Sequence, residues 1–268
     1  TAIRANEAKA FDYLPKPFDL PELMRRSAKA LERRQPTQPS AALATNRDAE
    51  IPLVGQSPAM QNLYRLIARA MNVAAPVLVL GEPGTGKSLI ADSLHNFSTR
   101  AEQPLVTLDP EMAASQSAIT DAIQRAGAGT LILDGVSDLS PTAQLRVLHT
   151  LGEPSDHSAR LISIAGPNIL ADVQNGNFRN DLFFRISSLQ LTVPALRERV
   201  GDISVLIQHF IKTTDSDIEF QCSTAGLSAL HGFSWPGNVR QLQNVMGQLI
   251  MESPNAIFDI SNVESVLK

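Results

Sequence analysis

Short apolar runs alternate with helically spaced apolar residues through the middle of the chain. One helix is predicted to begin at Pro58, with Ser57 as its N-cap, and another to follow the first apolar run. The runs have the length of buried strands and occupy residues 76–80, 105–108, 127–134 and 160–165. This alternation predicts an α/β fold with a doubly wound parallel sheet over residues 51–200.

The pattern becomes wholly helical from Gly201 onward. Apolar residues recur at helical spacing in three stretches, at residues 203–211, 225–230 and 239–251. We therefore predict a separate helical subdomain, a lid, over residues 201–268.

The N-terminal part of the chain has a different organisation. Residues 1–34 are predicted to form a helix, a short strand and a second helix that Asp19 caps. Residues 35–50 are rich in Pro, Gln, Ser, Ala and Thr and lack periodic apolar positions, which is typical of a linker. Because the chain begins inside a helical pattern, we expect it to be part of a longer protein.

Composition narrows the class of protein. A chain of 268 residues with 43% apolar content can bury one large core plus a smaller one. The net charge of -4 provides no bulk attraction to nucleic acid. Cys222 is the single cysteine, which excludes a disulfide framework and fits a cytoplasmic location. Apolar runs stay below membrane-spanning length, and the five histidines lack metal-ligand spacing, so we expect neither a membrane partner nor a histidine metal site.

One motif carries the strongest chemical signal, because it fits the phosphate-binding pattern G-x-x-x-x-G-K-[ST] between a predicted strand and a predicted helix. Its backbone N–H groups and the helix dipole can hold the phosphates of ATP. Lys87 would reach the outer phosphates, and the Ser88 hydroxyl would bind Mg²⁺. The alternative is a glycine-rich turn without a ligand. The motif consists of Gly81, Glu82, Pro83, Gly84, Thr85, Gly86, Lys87 and Ser88.

Six stretches follow one another in the order found in sigma-54-dependent activators, which are AAA+ proteins. They are LVGQSPAM, GEPGTGKS, AGTLILD, FRNDLFFRI, LTVPALRERVGDI and WPGNVRQLQN. The chain resembles NtrC-like response regulators of this family over nearly all its length. The stretch AFDYLPKPFDLPEL also resembles the end of a response-regulator receiver domain. In that resemblance Lys16 is the lysine that senses phosphorylation, and its bond to Pro17 is cis; the alternative is a solvated lysine in an ordinary turn.

The resemblance also implies roles for residues outside the phosphate-binding loop. Asp134 matches the second nucleotide motif, whose carboxylate holds Mg²⁺ through water. Arg179 and Arg185 match arginines that one subunit presents to its neighbour's nucleotide, although Arg179 could instead be a surface salt-bridge residue. The lid arginine of the family is matched by Arg240. Val54 and Gly55 are likewise assigned to the nucleotide site.

Three departures from the family affect the expected activity, two of them hydrolysis and the third the contact with sigma-54. Gly135 stands where the family has a glutamate that aligns the attacking water, and Gly166 replaces a polar residue at the end of the next strand. A positioned base contributes about 10²–10⁴-fold to a rate, whereas phosphate affinity rests mainly on the loop and Mg²⁺.

The 22 residues between Thr107 and Thr130 do not contain the sigma-54 contact sequence GAFTGA and are predicted to form one or two helices.

The sequence therefore predicts an ATP-binding regulatory module with weak or no hydrolysis that does not act through sigma-54. Its expected partners are copies of itself, as a dimer or an AAA+ ring, RNA polymerase, and a sensor kinase through the receiver. DNA would be contacted through a helix-turn-helix domain outside the chain. The alternatives are an active AAA+ ATPase of a sigma-54-dependent activator and a scaffold that has lost nucleotide binding.

Overall fold

The computed structural model describes residues 53–151, 159–213, 221–252, 257–258 and 260–266. The receiver-like segment 1–34, with Lys16 and Pro17, and the linker 35–50 lie outside these residues. Their predicted structures therefore stay predictions.

A five-stranded parallel sheet forms the centre of the larger subdomain. Its order is β2-β3-β4-β1-β5, so β1 lies between β4 and β5. The parallel sheet predicted from the apolar runs is confirmed. The fifth strand was not predicted, because its sequence Leu-Gln-Leu-Thr forms no continuous apolar run. The strands are β1 (Val77–Leu80), β2 (Leu105–Leu108), β3 (Thr130–Leu133), β4 (Arg160–Ala165) and β5 (Leu189–Thr192).

Helices cover both faces of this sheet, because successive strand residues point to opposite sides. Leu78 and Leu80 belong to one apolar cluster, and Val77 and Val79 belong to the other. The Val77 side is covered by α1 (Pro58–Ala70) and α2 (Lys87–Asn96). The opposite side is covered by α3 (Gln116–Ala126), α4 (Pro141–Leu151), α5 (Ile169–Gln174) and α6 (Asn180–Ile186).

Two side chains fix the ends of the first helices. Ser57 is the N-cap of α1, as predicted, and its hydroxyl accepts a hydrogen bond from the Met60 N–H. At the other end Arg160, only 2% exposed, donates to the carbonyl groups of Ala70, Met71 and Leu94. These are carbonyls at the C-terminal ends of α1 and α2, so one guanidinium group ties both helices to β4.

The C-terminal subdomain packs around Trp235, which is fully buried. Two 3₁₀ turns, Leu196–Glu198 and Val200–Asp202, lead into it from the sheet. The predicted helices are confirmed, but the wholly helical prediction was wrong, since two short strands pair in parallel there. Two-residue strands are too short to produce a period in the sequence. The elements are α7 (Ile203–Thr213), β6 (Gln221–Cys222), α8 (Thr224–Gly232), α9 (Asn238–Glu252), β7 (Ile257–Phe258) and α10 (Ile260–Val266).

None of the helices in the described part of the chain combines the length and the apolar composition that crossing a bilayer requires.

Candidate nucleotide-binding site

The phosphate-binding loop, residues 81–88, joins the carboxyl end of β1 to the start of α2. Gly86 is the N-cap of α2, and Lys87 is its first residue. The positive end of this helix therefore faces the loop, which favours an anion there. The predicted order of strand, loop and helix is present.

Lys87 is engaged with the loop itself. Its Nζ donates to the carbonyl oxygens of Gly81 and Glu82, both at 2.9 Å. Burial lowers the pKa of Lys87, and the nearby Asp134 carboxylate opposes that change. The ammonium group is thus held at the loop by neutral acceptors, which phosphate oxygens can replace with stronger, charge-assisted hydrogen bonds.

Ser88 and Asp134 supply the oxygen atoms for a cation. The Ser88 hydroxyl lies 3.4 Å from Asp134 Oδ2, which follows directly after β3. A hydroxyl and a carboxylate are hard oxygen ligands of the kind that Mg²⁺ takes beside phosphate groups. These residues therefore fit Mg²⁺, and their binding of the ion stays a prediction.

At Gly135, directly after Asp134, where the family has a glutamate, the chain forms a backbone turn. Gly135 has φ 70° and ψ 37°, the left-handed conformation that side chains disfavour. A Cβ atom built on it would lie 3.3 Å from Pro110 Cγ and 3.4 Å from Asp138 Oδ2. At the end of β4, the Gly166 N–H donates to Ser137 Oγ at 3.1 Å. The Ser137 hydroxyl, the Asp138 carboxylate and backbone groups therefore lie at this edge, where the family resemblance places a water-aligning glutamate and a polar sensor.

The segment between β2 and β3 contains no long insertion. It forms a 3₁₀ turn, Met112–Ala114, followed by α3. The prediction of one or two ordinary helices there is confirmed.

The two arginines predicted to act on a neighbouring subunit both belong to α6. Arg179 is its N-cap, and its exposed guanidinium pairs with Asp181 at 2.7 and 3.0 Å. Arg185 lies in the last turn and is partly buried. The structure of a single chain leaves their role toward a neighbour a prediction.

The other site residues predicted from the resemblance lie in the lid or against it. The exposed Arg240 lies in the first turn of α9, and its backbone N–H donates to Gly84 O at 3.2 Å. Its charge lowers the pKa of Lys87, as a smaller cause than burial. Val54 packs against the lid core, and a Cβ on Gly55 would overlap Met60 and Asp202. Both residues therefore support the subdomain contact.

The Glu82 side chain points to the lid. Arg197 donates two hydrogen bonds to its carboxylate, at 2.5 and 2.8 Å, and Asn238 Nδ2 donates a third at 3.1 Å. These hydrogen bonds lower the pKa of Glu82 to about 2. The Glu82 carboxylate therefore holds the lid, and a contribution of the Glu82 backbone to nucleotide binding stays a prediction.

Sequence reasoning missed three residues that contact the loop from outside. All three lie in stretches that carry the family resemblance: Arg197, Arg199 and Asn238. They are far from the loop in the chain, so no repeating sequence pattern indicates that they contact it. The buried Arg199 donates to Thr85 O at 3.3 Å, and burial lowers its pKa.

Two histidines in the described ranges, His95 and His231, contact hydroxyl groups of neighbouring elements. His95 Nδ1 lies 2.9 Å from Thr130 Oγ1, and His231 Nε2 lies 3.1 Å from Ser204 Oγ. In the described ranges, no three His, Cys, Asp or Glu side chains form a group suited to a metal ion.

Known proteins resemble both subdomains. The sequence profile of the sigma-54 interaction domain matches residues 54–196, and that of the AAA+ ATPase lid domain matches residues 197–268. The DNA-binding transcriptional regulator NtrC of Azospirillum brasilense is 34% identical over 307 residues, and NtrC of Bradyrhizobium sp. (strain RP501 Parasponia) is 36% identical over 300. Each alignment covers 100% of this chain and 62% of the relative. The chain therefore spans less than two thirds of the length of these relatives.

Solved structures share the fold. NtrX from Brucella abortus in complex with ADP superposes with a TM-score of 0.71 at 27% identity, covering 100% of this chain and 68% of that one. The complex of the same protein with ATP has a TM-score of 0.71 at 26% identity, covering 99% of this chain and 68% of that one. Thermotoga maritima RuvB, at 14% identity and a TM-score of 0.60 over 80% of this chain and 69% of that one, is similar in fold alone.

Proposed function

Because the chain belongs to the sigma-54 interaction domain family, with an AAA+ lid and homology to NtrC along its whole length, we propose that it binds ATP with Mg²⁺. It does so as the central module of an NtrC-like transcriptional regulator. The observation that carries the proposal is the convergence of Lys87, Ser88 and Asp134 at the carboxyl edge of the sheet.

Each of these side chains has a defined task in binding. Lys87 would leave the carbonyl groups of Gly81 and Glu82 and donate to the outer phosphates. Ser88 and Asp134 would hold Mg²⁺, which supplies positive charge beside those phosphates when bound. The NtrX structures in complex with ADP and ATP support the choice of an adenine nucleotide for a fold of this kind.

Hydrolysis is proposed to be slow or absent. Gly135 leaves the position after Asp134 without a carboxylate, and the Gly166 N–H is turned to Ser137. A base that aligns water contributes about 10²–10⁴-fold, so its loss reduces turnover while leaving the binding contacts in place.

The regulator would act without sigma-54. The connection from β2 to β3 is a 3₁₀ turn and α3, without the insertion that the family resemblance requires for contact. Its proposed partners are other copies of the chain in a dimer or ring, RNA polymerase, a sensor kinase through a receiver that includes residues 1–34, and DNA through a further domain. The proposed segments are 1–34, 35–50, 51–200 and 201–268, in a cytoplasmic protein.

The second candidate is an active AAA+ ATPase of a sigma-54-dependent activator. It is favoured by the match to the sigma-54 interaction domain and by Arg185 on α6. Calorimetric titration with MgATP and steady-state phosphate release, measured on the same preparation, separate the two. Tight binding with negligible turnover supports the regulatory module, turnover at the rate of ordinary AAA+ ATPases supports the second candidate, and no binding contradicts both.

A further inference from the structure

Four consecutive residues of the phosphate-binding loop are contacted from outside by the lid or by the segment that leads to it. The contacts are made by side chains and by one backbone N–H. They are Arg197 and Asn238 to the Glu82 carboxylate, Asn238 Nδ2 to Pro83 O at 3.0 Å, Arg240 N to Gly84 O at 3.2 Å, and Arg199 Nη2 to Thr85 O at 3.3 Å. A Cβ atom on Gly84 would overlap the Gly237 carbonyl, so the lid backbone approaches this loop closely.

These contacts also orient the other side of the loop. In a planar trans peptide the C=O of one residue and the N–H of the next point in opposite directions. Holding the carbonyl groups of Pro83 and Thr85 toward the lid therefore turns the N–H groups of Gly84 and Gly86 away from it. Inward-facing N–H groups are the donors that bind phosphate in such a loop.

Asn238 is the residue that joins most of this arrangement. It is fully buried, and its Oδ1 accepts from the Leu196 N–H at 2.8 Å while its Nδ2 donates to Glu82 Oε2 and Pro83 O. Its φ of 53° lies in the left-handed region, which asparagine tolerates better than most residues. One amide thus connects the loop, the strand-to-lid segment and the start of α9.

We propose that Asn238 is a positioning residue for the nucleotide, acting through Glu82 and Pro83 to hold the loop in its phosphate-binding conformation. This inference rests on the proposed binding of ATP. It makes nucleotide affinity depend on the docked lid, because the donors that shape the loop come from the lid.

The first test is N238D in the whole chain. Aspartate keeps the shape and the acceptor for the Leu196 N–H but removes both hydrogens that Glu82 and Pro83 receive. Calorimetry with MgATP should show about tenfold weaker binding or more, because the hydrogen bonds to Glu82 and Pro83 are lost and the new carboxylate repels that of Glu82. Asn244 is exposed on the same helix, so N244D is the matched control and should bind as the parent does.

A second variant separates positioning from general stability. In E82Q/N238D the glutamine amide can donate to the new carboxylate, which restores the side-chain link with donor and acceptor exchanged. The double variant should recover part of the affinity that N238D loses, with E82Q alone as the reference. Loss of affinity in N238D without any recovery in the double variant would overturn the inference.

Should N238D fail to fold by circular dichroism, N238G takes its place, because glycine adopts a φ of 53° without strain and carries no amide. N238G should be folded and bind MgATP about tenfold more weakly, since the hydrogen bonds to Glu82 and Pro83 are gone.

Parent-like affinity in folded N238D or N238G contradicts the role of Asn238 and leaves the proposed function intact. A parent chain that fails to bind MgATP removes the proposed function itself.

Discussion

Ser88 and Asp134 meet at the carboxyl edge of the sheet, with the Ser88 hydroxyl 3.4 Å from Asp134 Oδ2. Ser88 belongs to the first turn of α2, and Asp134 follows β3, although β4 lies between β3 and β1 in the sheet. The contact therefore depends on the strand order. It brings together the two oxygen ligands that the sequence motifs predicted separately.

We expect Lys87→Ala to weaken MgATP binding about 10- to 100-fold, because the variant loses the charged donor to the outer phosphates. Isothermal titration calorimetry on the parent and the variant measures the change. Lys212, exposed on α7, supplies the control, and Lys212→Ala should leave affinity unchanged. Equal affinity in parent and Lys87→Ala would contradict the assigned site.

Gly135→Glu is expected to raise the rate of phosphate release about tenfold or more above that of the parent. A well-positioned carboxylate contributes about 10²–10⁴-fold to such a rate. The gain should be partial, since a left-handed conformation costs a side chain roughly 1–2 kcal/mol and Gly166 supplies no side chain. Phosphate release should rise with protein concentration if Arg185 acts between subunits. No gain in sigma-54-dependent transcription is expected.

Gly135→Gln is the control for this prediction, because it has nearly the same shape and strain but no base. A similar rate in the glutamine and glutamate variants would rule out the carboxylate as the limiting group. Arg185→Ala in the glutamate variant should abolish the gain if the arginine completes a neighbour's site.

Arg160→Met should lower the free energy of unfolding by about 2–4 kcal/mol, because buried carbonyl groups at the ends of α1 and α2 lose their donor. Burial already lowers the pKa of Arg160 to about 10, so part of the loss is offset by removing a buried charge. Urea denaturation followed by circular dichroism measures the change. Arg69→Met, an exposed position on α1, should change stability by less than about 0.5 kcal/mol.

Stability should fall as the pH drops below 6.5, with His95 contributing to the decline. Burial, followed by the charge of Arg160, lowers the pKa of His95 from its ordinary value of 6.5. As the pH falls, the unfolded chain therefore takes up the proton before the folded chain does, so acid favours unfolding. The contribution of His95 to folding stability is complete above pH 6.5 and is lost as the pH falls through its lowered pKa. Melting temperatures of the parent and His95→Gln between pH 5 and pH 8 give the comparison, and parallel curves would exclude His95 as a source.

The sequence by itself determined most of the nucleotide-binding subdomain, because its signals are local. Each signal lies within a few neighbouring residues: the apolar runs of the strands, the glycine spacing of residues 81–88 and the Ser57 cap. For the same reason the segment before β3 could be predicted as a short helical connection. The alternation of these elements was sufficient for the parallel sheet.

Tertiary structure decided how the lid and the loop meet. Asn238 and Glu82 are 156 positions apart, and Ser88 and Asp134 are 46 apart, so no period in the chain relates them. The order of the strands and the docking of the lid follow from burying whole apolar faces, including the core around Trp235. That burial places the Glu82 carboxylate beside Arg197 and Asn238, and Lys87 and Ser88 at the proposed nucleotide site.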